Sequence, residues 1–186
     1  MNYANILNKA KQPSKVDFTE LASFITDKAY RNNMLGDREA YQLLARFSLS
    51  MDDINILDVG TKRGCSAFAL SVNKLNTVHS FDIVDQKMFT QQPDNVVFYL
   101  GDCTEDKYYH IVKESRLVYL DTYHNGIFEK KFHEYLKSIK WYGIVIYDDI
   151  KLNDNMNNFW SGIKEEKYDL TQWGHWSGTG VVIFNE

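Results

Sequence analysis

The sequence predicts an α/β fold: a doubly wound, mostly parallel sheet, led by helices and ending in an antiparallel hairpin. Three observations carry this. From residue 54 onward, short apolar runs alternate with stretches of helical periodicity, the pattern of strands joined by crossover helices. The first run, 54–58, opens into Gly60-Thr61-Lys62-Arg63-Gly64 and then a small-residue helix start, Cys65-Ser66-Ala67. The last two runs, 168–173 and 180–184, are separated by Gly174-His175-Trp176-Ser177-Gly178-Thr179, short enough for a hairpin.

The elements follow in order. Residues 1–16 are polar and contain Pro13, so a loose N-terminal arm is expected there, with 17–186 as one domain. Within it, 17–50 form helices that cover the site and 51–186 form the core. Asp17 opens a helical pattern of Phe18, Leu21, Ala22, Phe24 and Ile25, with Asp17 and Glu20 as a capping pair. Leu35-Gly36-Asp37 breaks that helix, and a second one places Ala40, Leu43, Leu44 and Phe47 on one face. Strands are then expected at 54–58, 78–82, 95–100, 116–121 and 143–148. Helices are expected at 66–73, 104–113, 126–139 and 153–166.

Composition narrows the class. A chain of 186 residues is long enough for a full α/β core. Twelve Tyr, eleven Phe and four Trp against two Pro mark a folded chain. A net charge of −4 without a long basic run argues against nucleic acid as the partner. No apolar run approaches the roughly 18–20 residues of a membrane span. Met1-Asn2-Tyr3-Ala4-Asn5 lacks a signal peptide's basic and apolar regions. The expectation is a cytoplasmic protein with no membrane partner, its Cys65 and Cys103 reduced.

In open α/β sheets ligands bind outside the carboxyl ends of the strands. Those ends carry Asp58, Asp82, Gly101-Asp102-Cys103, Asp121 and Asp148-Asp149. Asp at a strand end often caps the next helix or turn. That duty covers Asp102 and one of the last pair, but not all five ends. Gly60 permits a tight turn after the first strand. The loop reads G-x-x-x-G rather than G-x-G-x-x-G, so the dinucleotide fingerprint is not met. Farther along, His175 and Trp176 lie in a glycine-flanked loop near Trp160, a candidate wall for a second ligand; the N-terminal segment with Tyr30, Arg31, Met34 and Leu35 is another.

With these motifs in place, residues 35–186 resemble the class I S-adenosylmethionine-dependent methyltransferases, whose core is a Rossmann-like sheet closed by an antiparallel strand. Within them the chain is similar to small O-methyltransferases of the catechol type and to relatives that modify sugars and antibiotics. The resemblance implies S-adenosylmethionine held by Asp58, Gly60, Thr61, Gly64, Ser66, Asp82, Ile83, Asp102, Cys103 and Asp121. It implies Mg²⁺ or another divalent ion on Asp121, Asp148 and Asp149. The family usually places a catalytic Lys three residues after the first metal ligand; this sequence has His124 there. Asp121 and His124 are thus the expected catalytic residues, and His124, Trp160, His175 and Trp176 the expected contacts to a small hydroxylated acceptor. Two alternatives stay open: a metal-independent methyltransferase with His124 as base, and a non-enzymatic S-adenosylmethionine binder. The hairpin and the arm are candidate surfaces for a homodimer.

Overall fold

The computed structural model describes residues 2–36 and 39–186, with the backbone alone at Glu39. Four helices lead: α1 (Tyr3–Ala10), α2 (Thr19–Phe24), α3 (Lys28–Leu35) and α4 (Glu39–Ser48). The alternating part follows as β1 (Asn55–Val59), α5 (Cys65–Leu70), β2 (Thr77–Asp82), β3 (Val96–Leu100), α6 (Tyr109–Glu114), β4 (Ser115–Leu120), α7 (Ile127–Ser138), β5 (Gly143–Asp148) and α8 (Asp154–Gly162). A hairpin of β6 (Glu166–Asp169) and β7 (Thr179–Phe184) closes it. The sheet order is β3-β2-β1-β4-β5-β7-β6. β1 to β5 pair in parallel, and β7 runs antiparallel between β5 and β6. Among the described residues no helix is long and apolar enough to cross a membrane.

The sheet is covered on both faces, which is why its central strands read as near-continuous apolar runs. Alternation sorts their side chains. Ile56, Val78, Leu117, Ile144 and Val181 pack with α1, α2, α4 and α5. Leu57, Val118, Val145, Tyr147 and Val182 pack with α6 and α7. Two buried amides and a half-buried one tie the loops beside this face. Asn73 and Asn76 each donate to the Met51 carbonyl oxygen at 2.9 Å, and Asn95 donates to the carbonyls of Ser71, Asn73 and Asn76.

Several expectations are corrected. The N-terminal arm is not loose: Tyr3–Ala10 is a helix whose Ile6, Leu7 and Ala10 are buried. Asn2 caps it by accepting the Asn5 N–H, and Arg46 of α4 donates to the Ala10 carbonyl at 2.7 Å. The helix expected from Asp17 is two helices. Ile25 turns extended and bridges to Phe89, and the Asp27 carboxylate caps a fresh start by accepting from Ala29 and Tyr30. The Asp17–Glu20 capping pair does not form; Asp17 Oδ1 accepts from Thr19 N–H and hydroxyl instead. α3 ends at Gly36, and Asp37 lies outside the described residues. α8 stops at Gly162 because Lys167 Nζ donates to the carbonyls of Trp160, Ser161 and Ile163 and so closes its C-terminus. Accordingly β6 starts at Glu166, and it ends at Asp169, whose carboxylate accepts from Thr171 N–H and hydroxyl to start a turn.

Candidate active site

Strand register assembles the site. Val59 lies beside Phe81 and Leu120, and Leu120 beside Tyr147. The next residues, Gly60, Asp82, Asp121 and Asp148, therefore fall in one row at the carboxyl edge of the sheet. Gly60 has φ +107°, and a Cβ there would sit 1.8 Å from the Asp121 carbonyl oxygen. The Gly60 and Thr61 N–H groups both donate to the Phe81 carbonyl, at 2.8 and 3.2 Å. Asp82 holds the other side of the loop: Oδ2 accepts from Lys62 N–H at 2.9 Å and Oδ1 from Val84 N–H at 3.0 Å.

Two cavities flank the row and share Gly60, Lys62 and Asp121. The larger, about 400 Å³, is lined by Asp82, Ile83, Gly101, Asp102, Cys103 and His124, among others. The smaller, about 220 Å³, is lined by Tyr30, Asn33, Tyr41, Thr61, Ser66, Tyr119, Asp148 and His175, among others. Asp102 Oδ1 is engaged by Thr104 N–H and hydroxyl at 2.8 and 2.7 Å, a turn that fixes the cavity floor. Burial pushes the Cys103 thiol far above its ordinary range, so it stays protonated.

Asp58 lines neither cavity. It is fully buried, and Ser80 Oγ donates to its Oδ2 at 2.6 Å while meeting Thr61 Oγ1 at 2.6 Å. It therefore braces the loop from inside. Burial pushes its carboxyl up to about 7, with the Ser80 and Ser66 hydroxyls pulling back only in part. The folded protein then keeps a proton that the unfolded chain loses near pH 4, so stability falls as pH rises from about 4 to about 7. Asp58→Asn is expected to flatten this fall. Between pH 5 and 8 the wild type should lose about 5–10 °C more in melting temperature than the variant. Parallel slopes in the two proteins would refute the assignment.

Gly64 lines neither cavity either. At φ +91° it caps α5, and a Cβ would press on the Phe89 ring at 3.1 Å. Trp160 and Trp176, the expected acceptor contacts, line neither of these two cavities. The Trp160 ring packs against Gly180 and under Lys167 Nζ, and Trp176 is 79% exposed. Of the N-terminal wall residues, Tyr30 reaches the smaller cavity, while Met34 is buried in the core and Leu35 is exposed.

Beyond the row lies a cluster of carboxylates and imidazoles. His124 sits in the left-handed region at φ 51°, its N–H donating to Glu129 Oε1 at 3.0 Å and its carbonyl accepting from Asn153 Nδ2 at 2.9 Å. Thr122 Oγ1 donates to the same Glu129 oxygen at 2.9 Å. The His124 Nε2 lies 3.1 Å from Asp121 Oδ1 and 3.4 Å from Asp149 Oδ2. Burial alone would lower this imidazole's pKa; the Asp121 hydrogen bond and the charges of Asp121, Asp149 and Asp148 outweigh it and raise it. Asp149, at φ 58°, turns Oδ1 to His175 Nδ1 at 2.9 Å and to the Ser177 hydroxyl. Burial would raise Asp149, but the hydrogen bonds from His175 and Ser177 bring it below the usual carboxylate range. Asp148 is pushed up, by burial and then by the charges of Asp121 and Asp149.

The three expected metal carboxylates do not converge. Donor atoms within 4.8 Å of one another belong to Asp121, His124 and Asp148 on one side and to Asp148, Asp149 and His175 on the other. Among the described residues, the buried side-chain atoms without a hydrogen-bond partner include Asp58 Oδ1, His124 Nδ1, Glu129 Oε2 and Asp148 Oδ1. Of these residues Asp148 lines the smaller cavity and His124 the larger, whereas Asp58 and Glu129 line neither. Sequence reasoning missed Glu129, Ser177 and Tyr119. A Glu in the first turn of a helix reads as solvated, and only the fold shows Glu129 to be 1% exposed.

No protein-family model and no curated protein sequence matches the chain. Solved structures do. An O-methyltransferase from Bacillus cereus in complex with SAH matches with a TM-score of 0.58 at 12% identity, over 97% of each chain. TomG from Streptomyces achromogenes, an O-methyltransferase of tomaymycin synthesis in complex with SAM, matches at 0.56 and 13%, over 99% of this chain and 97% of that one. The SAH-bound Podospora anserina methyltransferase PaMTH1 matches at 0.56 and 13%, over 94% of this chain and all of that one. The chain therefore has the Rossmann-like fold of class I S-adenosylmethionine-dependent methyltransferases.

Proposed function

We propose that this chain is an S-adenosylmethionine-dependent methyltransferase that transfers the sulfonium methyl group to a hydroxyl of a small molecule. The observation that carries the reading is the pair of cavities meeting at Gly60 and Asp121. The larger, with Asp82 for ribose hydroxyls and Ile83 and Asp102 for the base, suits an adenosine. The smaller, with Ser66 at a helix start, suits the methionine end and the incoming hydroxyl. The similar structures with bound SAM or SAH support the same cofactor here.

A hydroxyl attacks well only after losing its proton. The sequence placed the base at His124, but His124 lines the larger cavity, beside the groups placed for adenosine, and not the smaller one. His175 is better placed. It lines the smaller cavity, and Asp149 and Ser177 hold its Nδ1. With Nδ1–H given to the carboxylate, Nε2 is the basic nitrogen. The hydroxyl proton passes to His175, the oxygen bonds to the methyl carbon, and the carbon–sulfur pair stays on sulfur to leave neutral S-adenosylhomocysteine. Asp121 and Asp148 are the carboxylates that would hold a divalent ion, which when bound supplies positive charge beside the hydroxyl and lowers its pKa.

The test uses methyl-labelled S-adenosylmethionine with a panel of phenols and sugars, with and without EDTA. Label should reach a hydroxyl oxygen and fall in EDTA. Undiminished transfer in EDTA would remove the metal from the reading. Tight S-adenosylhomocysteine binding with no transfer to any acceptor would leave a cofactor binder, and no binding at all would sink the proposal.

A further inference from the structure

We infer that the cation site at the strand ends takes an imidazole ligand, His124, and therefore selects Mn²⁺, Co²⁺ or Zn²⁺ over Mg²⁺. This rests on the reading that Asp121 and Asp148 hold a divalent ion. Asp121 and Asp148 follow one another across the edge of the parallel pair β4 and β5, and His124 returns to them three residues after Asp121. The donor atoms of these three residues lie within 4.8 Å of one another. Asp149 does not join them: its donor oxygen falls instead with those of Asp148 and His175.

A second observation is independent of the clustering. Asp148 is only 7% exposed, and its Oδ1 has no hydrogen-bond partner among the described residues. A carboxylate oxygen withdrawn from water and left unpaired is costly, and a cation removes the cost. The imidazole is also built in rather than incidental. The His124 backbone is fastened on both sides, its N–H by Glu129 and its carbonyl by Asn153, in a left-handed conformation that directs the ring back toward Asp121. Ligands held by such supporting contacts need little reorganisation on binding. Mg²⁺ prefers an all-oxygen octahedron, whereas imidazole suits the transition metals.

The test is metal binding by the full chain, stripped with EDTA and titrated calorimetrically with MgCl₂, MnCl₂ and CoCl₂, each with and without S-adenosylhomocysteine. Mn²⁺ and Co²⁺ should bind at least about tenfold more tightly than Mg²⁺, and His124→Ala should cost about tenfold or more in Co²⁺ affinity. Pulsed EPR of the Mn²⁺-loaded wild type needs no variant and should show coupling to an imidazole nitrogen. Mg²⁺ binding as tight as Co²⁺ binding, an unchanged Co²⁺ affinity in His124→Ala, or Mn²⁺ without nitrogen coupling would each overturn the inference; so would no binding of any ion. Methyl transfer supported by Mg²⁺ bound on carboxylates alone would overturn it while leaving the proposed reaction intact.

Discussion

Replacing His175 by alanine is expected to slow methyl transfer by about 10²–10⁴-fold, the usual reach of a general base. S-adenosylhomocysteine affinity should stay within a few-fold, because His175 lines only the smaller cavity among the two and touches none of the groups placed for adenosine. Steady-state kcat and KM, measured separately with an acceptor from the labelling panel, read this directly. Asp149→Asn should fall in the same direction, since an amide no longer fixes which ring nitrogen carries the proton. If His175→Ala retains most of kcat while a folded His124→Ala loses it, the base is His124 and the assignment made here is wrong.

Gly60→Ala should be the most damaging change to the cofactor side. A Cβ at this residue would lie 1.8 Å from the Asp121 carbonyl oxygen and 2.9 Å from its carbon, both backbone atoms of a central strand end. Neither can rotate away, and φ +107° adds strain of its own. A loss of about 3 kcal/mol or more is expected, roughly 10 °C in melting temperature for a chain of this size. S-adenosylhomocysteine binding should be lost with it, because Gly60 forms part of both cavities. Gly64→Ala makes the control: its Cβ would meet side chains rather than backbone, Phe89 at 3.1 Å and Phe68 at 3.9 Å, and should cost less. Equal melting curves for wild type and Gly60→Ala would contradict the close approach.

The larger cavity at the strand ends was legible because its signals are local. A strand buried on both faces must read as an apolar run, and the breaks that end it, Gly60, Asp82 and Gly101-Asp102, stand out in the sequence. The cluster around His124 and Asp149 was less so. Asp148 and Asp149 are adjacent in sequence, yet Asp149 takes a left-handed φ and turns to a different set of partners. No spacing rule separates the two. Glu129 and Ser177 act across 5 and 28 residues of sequence, on His124 and Asp149 respectively. Such partnerships are set by how the loops fold over the sheet. α1 was missed because only Ile6, Leu7 and Ala10 of its residues are buried, too thin a stripe to distinguish a short docked helix from a polar tail.

The placement of β7 between β5 and β6 has a consequence for assembly. The residues that line the larger cavity run from Val59 to Phe128, and none belongs to the hairpin. The loop that carries His175 and Ser177 over Asp149 is anchored only when β7 slots antiparallel beside β5, with Asp148 opposite Thr179. On the proposed reading, a folding chain would gain the ability to hold S-adenosylmethionine before it gains a proton acceptor. In a refolding experiment, recovery of S-adenosylhomocysteine binding would precede recovery of turnover, the interval marking insertion of that one strand.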